Sequence, residues 1–531
     1  MATMAMDTAH KLNKRFYLLF LLIAINLPAT AGKWSFDPNI TLDETYSDNV
    51  ELNANNTVGS FVTQSTLSLN SQFSSRLAEF SFQSTNTYVG YSHNHQIDDS
   101  YKTLNTNIRY SLWTNGPALI ASATIANQSK NGASNGLADL VSGDTVETKS
   151  YQAGLEYNVD NSRFSINSSI QYQIRQANDN IGESNGYTTS INARNGSASR
   201  TVLWQFNGNY NEQHNNNLTG RIHQIEALAG MITNFGFSPF VRFFNEDSTG
   251  NFGTNRNTGT SSWGPGFRWR ISSHFYIDLS YNYVADKTKS DNYVATAINW
   301  QPSSRTTLEA SYNKRFFGDS YNVNFQHKIR RLSNTISYTE TVQAFDRNSF
   351  NQVSLGNFWC PVGADLSNDV SACFIGSDTT IDFNNYQLVT VLDQVLVAGN
   401  EFSLNKTLSW QTDLSLARTT FTLSINGNQR ESLTTSRKQK NLNASVSATR
   451  RISGKSDIAL SFSFRKQLFD QNNTQGNGQD DYYRTISATY SRKLASSLSS
   501  NFSVQYLDRN SSQSSRTYNE TRAIINITKE F

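Results

Sequence analysis

Charge, proline and cysteine are all scarce in this chain of 531 residues: 16% of its residues are charged, seven are proline and two are cysteine. The 45 basic residues nearly balance the 42 acidic ones, for a net charge of +3. Lys11, Lys14 and Arg15 against Asp7 place +2 of that in the N-terminal segment, so the remainder is near +1. So neutral a chain, without a long basic run, is excluded as a nucleic-acid binder that works by phosphate neutralisation. Seven prolines and no linker-like break argue against a string of soluble domains, although the length would allow one. Hydrophobic residues make up 37%, yet aromatics reach 12%. Globular chains are usually about 45–50% apolar. Few apolar residues with many aromatics fit a barrel with a lipid-facing skin and a wet lumen better than one packed core.

Only one long apolar run is present. Phe16 to Leu27 follows the basic cluster and precedes Ala29-Thr30-Ala31, a small-residue cleavage site. This is the layout of a signal peptide over residues 1–31, with the mature chain expected from Gly32. The run is too short for a mature membrane helix, which takes about 20 apolar residues. Beyond it no stretch sustains a 3.6-residue apolar stripe, so few helices are expected.

Period-two alternation fills the space instead. Trp34, Phe36, Pro38, Ile40 and Leu42 share one face, as do Phe164, Ile166, Ile170, Tyr172 and Ile174, and Ile458, Leu460, Phe462 and Phe464. The opposite positions are mostly Ser, Thr, Asn, Gln and Arg. Connections alternate as well. Short ones fall at Phe73 to Ser75, Thr114 to Pro117, Asp160 to Ser162, Ile271 to Ser273 and Ile452 to Lys455; long ones fall at Asn127 to Glu147, Glu246 to Thr260 and Lys466 to Gln479. Short periplasmic turns and longer extracellular loops are the pattern of a single large antiparallel transmembrane β-barrel. Counting strands between connections gives about 24, with a range of 22 to 26. The final strand alternates from Thr521 and stops on Phe531, an ending that resembles the closing strand of bacterial outer-membrane barrels, read there by the barrel assembly machinery. A β-solenoid or a string of sandwiches is the rival architecture, but no fixed-period repeat supports it.

Trp263 to Arg270 (WGPGFRWR), Trp300 to Arg305 (WQPSSR), Lys314 to Gly318 (KRFFG) and Tyr338 to Glu340 (YTE) resemble the outer-membrane protein family associated with PEP-CTERM/exosortase systems and exopolysaccharide gene clusters. Trp34 to Pro38 (WSFDP) and Glu44 to Asn49 (ETYSDN) resemble the start of that family. The resemblance implies a place in the outer membrane and a part in making or exporting an extracellular polysaccharide, as its conduit. It implies the polymer and polysaccharide-export proteins as partners, beside outer-membrane lipid, and no cofactor or catalytic residue.

The inward positions are where chemistry is expected. Alternation places Arg268 and Arg270 toward the lumen and points Arg242, Glu309 and Arg315 the same way, which would gather an arginine-rich stripe on one wall. Such a stripe would draw an acidic glycan; the plainer alternative is that each arginine pairs with a local carboxylate or water. Asn167, Gln171, Gln173, Gln205, Asn207, Asn209, Asn501, Ser503 and Gln505 supply neutral hydrogen-bonding groups, which suit sugar hydroxyls and water alike. Cys360 and Cys373 both fall in the longest irregular segment, from about Gln343 to Asn400, expected to be extracellular. In an exported chain two such cysteines are expected to pair, which would constrain the unfolded chain by roughly 3 kcal/mol. Within that segment Tyr386 to Val397 is apolar enough to fold inward as a lid or outward as a surface hairpin. His93 and His95 share a face only if a strand continues there, a weak pattern for a metal. No nucleophile triad, phosphate loop or dinucleotide fingerprint is legible. A conduit is therefore expected first, a surface scaffold or receptor second, and an outer-membrane hydrolase last.

Overall fold

In a computed structural model the chain is described over residues 32–130, 139–215, 218–250, 258–285, 291–344, 349–361, 385–397, 402–469, 479–512 and 516–531. The signal segment 1–31 lies outside the described residues. Alternation becomes strand nearly everywhere it occurs. The chain opens with β1 (Lys33–Ser47), β2 (Ser60–Ser74), β3 (Ala78–Tyr91) and β4 (Asp99–Ser111). Next come β5 (Ala118–Ser129), β6 (Thr145–Asp160), β7 (Phe164–Ala177), β8 (Ser184–Asn195) and β9 (Val202–Asn215). They are followed by β10 (Leu218–Met231), β11 (Phe237–Thr249), β12 (Gly259–Ser272) and β13 (Phe275–Val284). Four more are β14 (Tyr293–Ser303), β15 (Thr306–Arg315), β16 (Gly318–Lys328) and β17 (Leu332–Ala344). After β18 (Ser349–Pro361) and β19 (Tyr386–Val397) come β20 (Phe402–Ser415), β21 (Thr419–Ser432) and β22 (Lys438–Ser453). The chain closes with β23 (Ser456–Phe469), β24 (Gln479–Ala495), β25 (Leu498–Ser511) and β26 (Tyr518–Glu530).

Twenty-four of these strands form one antiparallel sheet in chain order, with β17 paired directly to β20. The sheet closes where β26 pairs with β1, from Asn39↔Glu530 to Ser47↔Arg522. A ring without an edge is what allows strands to cross a bilayer, since no backbone group is left facing lipid unpaired. Phe531 follows the last paired residue; its amide donates to the Pro38 carbonyl oxygen at 3.1 Å and its side chain is exposed at the rim that also holds Lys33. The connections at that rim take two to six residues, and those at the other take five or more except from β9 to β10 and from β15 to β16, which take two each.

The stretch expected to be irregular is partly regular. β18 pairs with β19 from Ser349↔Val397 to Pro361↔Tyr386 in a separate two-stranded sheet that does not join the ring. Tyr386 to Val397 carries β-branched valines at 389, 391, 395 and 397, which suit the extended backbone. Cys360 sits on β18 opposite Gln387, while Cys373 lies outside the described residues, and so does any pairing between them.

Each strand shows two environments. Leu42, Leu67, Ile170, Leu460, Ile486, Val504 and Ile525 are exposed on the outer face, where lipid would cover them. Aromatic pairs mark both edges of this belt: Trp34 with Phe73 (4.7 Å between centroids) and Phe237 with Trp269 (5.6 Å) toward the terminal rim, and Tyr46 with Phe61 (5.1 Å) and Tyr312 with Tyr321 (5.3 Å) toward the other. Ala523, Ile525 and Ile527 of β26 share this outer face; Arg522 and Asn526 point inward, where Asn526 donates to Asp43.

The ring is not uniformly wide. Gly264 and Gly266 point inward on β12, where a Cβ would sit 1.8 Å from the Tyr281 carbonyl oxygen and 2.5 Å from the Phe240 ring, respectively. Between them Pro265 has no N–H to give, and the pairing of β12 with β13 is interrupted between Trp263↔Tyr283 and Gly266↔Ser280, the register itself being kept. With no side chains to hold them apart, β11 and β13 approach across β12. The sheet curls here into a side lobe running from β8 to β17. Its far end is capped where Phe316, Ala344, Phe402, Leu404 and Leu433 bury one another with Ile222 of β10 against them.

Candidate functional site: the lumen and its side lobe

The curl decides what the inward arginines do. Arg242 is 5% exposed. Its guanidinium donates to Glu226 Oε1 at 2.7 Å on the neighbouring β10, to Asn282 Oδ1 at 3.2 Å on β13, and to the Tyr293 hydroxyl at 3.4 Å on β14. Arg268 donates through Nε and Nη2 to both oxygens of Asp278, at 2.6 and 2.7 Å, and its guanidinium carbon lies 4.4 Å from the centre of the Tyr276 ring. Arg315 reaches from β15 back to β11, where Nε lies 3.0 and 3.1 Å from the two oxygens of Glu246 and Nη2 also donates to Oε1; Nη1 donates to the Glu340 carbonyl oxygen at 3.2 Å. Glu309 accepts from Asn299 Nδ2 at 3.2 Å. Arg270 is exposed near the terminal rim and makes no ion pair among the described residues. All five residues thus point inward on lobe strands, but three of the four arginines are neutralised by carboxylates. They do not form an open cationic wall.

Of those carboxylate partners, Asp278 was within reach of sequence reasoning. It stands opposite Arg268 once the hairpin is folded about the turn at 273–274. Glu246 lies 69 positions from Arg315 and four strands away, so only the curl brings them together.

Between the walls of the lobe lies a cavity of about 930 Å³. Gln205, Asn207 and Gln224 line it from β9 and β10; Asn299, Asn313 and Asn322 line it from β14, β15 and β16; Tyr276 and Asp278 line it from β13. The inner face from β20 to β26 is different in kind. Ser337 and Ser409 pair at 2.6 Å, as do Ser461 and Ser487; Asn428 Nδ2 donates to Thr407 Oγ1 at 3.1 Å and Asn501 Nδ2 to Asn526 Oδ1 at 3.2 Å. These contacts join neighbouring strands only, and the middle of the wall they build is neutral; charged pairs on these strands lie toward their ends, as near the far mouth, where Arg509 donates to Asp481 at 3.0 Å.

Part of the connection from β5 to β6 enters the far mouth and ties onto the closing seam. Leu140 and Val141 pack with Val50, Val62, Val89 and Tyr91. Arg522 donates to Asp139, to Ser142 Oγ at 2.9 Å and to both oxygens of Glu520 at 2.8 Å; Glu520 also accepts from Ser47 Oγ at 2.5 Å and Ser142 Oγ at 2.8 Å. Nothing in the sequence pairs residue 139 with residue 522. Near the same mouth β3 ends at Tyr91, so His93 and His95 do not share a strand face: His93 Nδ1 meets Ser60 Oγ at 2.8 Å, while His95 sits in a one-turn 3-10 helix. Just past that turn, the backbone N–H of Tyr91 and then the Tyr88 hydroxyl donate to Asp98 and hold its carboxyl below the usual range, against some desolvation.

No family model matches the chain, and no curated protein does. Among solved structures it is similar to the loop L8 deletion mutant of OmpT, an outer membrane protein of Vibrio cholerae, with 8% identity and a TM-score of 0.34 over 94% of this chain and 100% of that one. It is also similar to the FrpB iron transporter from Neisseria meningitidis, with 9% identity and a TM-score of 0.42 over 93% and 82% of the two chains. The siderophore receptor PirA from Pseudomonas aeruginosa gives 7% identity and 0.41 over 93% and 80%. The chain's own ring of 24 strands, with an apolar outer belt and a polar inner face, makes it a β-barrel of the bacterial outer membrane.

Proposed function

We propose that the barrel is a conduit for an extracellular polysaccharide. The observation that carries this reading is the middle of the inner face from β20 to β26, where Ser, Thr and Asn side chains exchange hydrogen bonds with one another and present no strong charge, the charged pairs of these strands lying toward their ends. Such groups can trade partners with sugar hydroxyls as a chain passes, without holding it as an ion pair would. A ring of this strand number encloses more space than side chains alone fill. The resemblance of WGPGFRWR and its companion motifs to the PEP-CTERM/exosortase-associated family supports the same context, with polysaccharide-export proteins as periplasmic partners. The proposed role is non-catalytic.

A surface scaffold that retains the polymer is the second reading. The hairpin of β18 and β19, which stands apart from the ring sheet, favours it. Deleting the gene separates the two. Polymer trapped in the periplasm supports the conduit; polymer secreted normally but shed from the surface supports the scaffold. Conductance of the purified protein in planar bilayers is the direct measurement, and a barrel that stays closed even without residues 343–400 would sink the conduit.

A further inference from the structure

We infer that the lobe cavity is a saccharide-binding site, and that it takes a neutral, hydroxyl-rich oligosaccharide rather than an acidic one. This deepens the conduit reading by naming the class of sugar, and it rests on that reading only for the identity of the passing polymer. Size comes first. At about 930 Å³ the cavity is at the upper end of the range for small-molecule sites and has room for several sugar rings. Its walls present amides from both sides of the bend at β12. Gln205, Asn207 and Gln224 on one side and Asn322 on the other make no side-chain hydrogen bond to another residue among the described residues. Amides carry both donors and acceptors, the complement of a vicinal diol. Tyr276 adds an aromatic surface held in place by Arg268, against which the apolar face of a sugar ring can rest.

Charge decides between neutral and acidic ligands. Arg194, Arg242 and Arg315 line the cavity, against Glu226, Asp278, Glu309 and Glu340. Three arginines against four carboxylates leave no positive excess. Moreover, the guanidinium groups of Arg242 and Arg315 are already spent on Glu226 and Glu246. Arg194 and Glu309 form no ion pair among the described residues and offset one another in charge, while at Arg242 and Arg315 a uronic acid would have to displace a carboxylate already in place; a neutral sugar leaves these ion pairs intact.

The test is equilibrium binding to the full barrel in detergent, using neutral tetrasaccharides of glucose, mannose and galactose as probes and tetragalacturonate as the acidic counterpart. At least one neutral probe should bind about tenfold or more tightly than tetragalacturonate, with little dependence on salt. The triple variant Gln205→Ala/Asn207→Ala/Gln224→Ala should weaken that neutral binding by about tenfold or more. Asn299→Ala/Asn322→Ala should weaken it from the opposite wall, and heat-modifiable migration on gels checks that both variants are folded. Equal or tighter binding of tetragalacturonate, no binding of any neutral probe, or unchanged affinity in both folded variants would overturn the assignment. A barrel that binds neutral sugar but never conducts would leave the site standing and remove the conduit.

Discussion

The lobe from β8 to β17 and the broad wall from β20 to β26 are made by the same alternating pattern, yet they solve opposite problems. In the lobe, β13 to β16 are 10 or 11 residues long and the sheet curls on inward glycines, so side chains meet across several strands. Charge is tolerated there because each buried cation has a carboxylate at hand. In the wall, strands of 13 to 17 residues lie side by side, and away from the far mouth an inward group meets its lateral neighbours and water. Its middle is accordingly built of hydroxyls and amides, which need no partner across the lumen. Curvature, more than composition, sets which polar chemistry a lumen can carry.

The sharpest way to break this contrast is to strip a lobe ion pair. Arg315→Ala would leave Glu246, whose side chain is fully buried, without its cation. Losing one partner of a buried pair costs about 3–5 kcal/mol, so the variant should unfold in urea well before the parent, while Arg451→Ala at an exposed pair should shift little. A second comparison sets the two faces of β24 against each other. Ile486 is exposed on the lipid side and Ser487 faces inward. Ile486→Arg should destabilise the barrel in lipid vesicles by about 2–4 kcal/mol, with Ser487→Arg near neutral because water solvates it. Equal costs at the two positions would contradict the assignment of faces. The smallest effect is expected at the mouth. Asp139→Asn removes one charged acceptor from Arg522, worth about 1.5–3 kcal/mol locally. It should speed amide exchange at Leu140 to Gly143 while leaving exchange in β20 to β25 unchanged.

Much of the architecture is legible in single residues. Period two put Arg242, Arg268, Arg270, Glu309 and Arg315 on the inner face, and all five lie there. The same period put Ile525 and Ile527 on the lipid side of the closing strand. Loop lengths told one rim from the other, although the two-residue turn through Phe316 and Phe317 breaks their alternation because β15 and β16 are cut short beneath the lobe cap. For Tyr386 to Val397 a surface hairpin was one of two readings, but its partner strand β18 was not legible, since it lies in a stretch without the flanking turns that marked the others.

What the sequence determined by itself is the closed barrel, its compartment and the face of each residue, because those follow from a local period that every strand repeats. Only the tertiary structure decided who meets whom across the lumen. The partnership of Arg315 with Glu246, the tie from Arg522 to Asp139 and the cavity between two amide walls depend on how far the ring bends. That bend is set by two inward glycines and a proline on β12, whose consequences fall on strands far away in the chain.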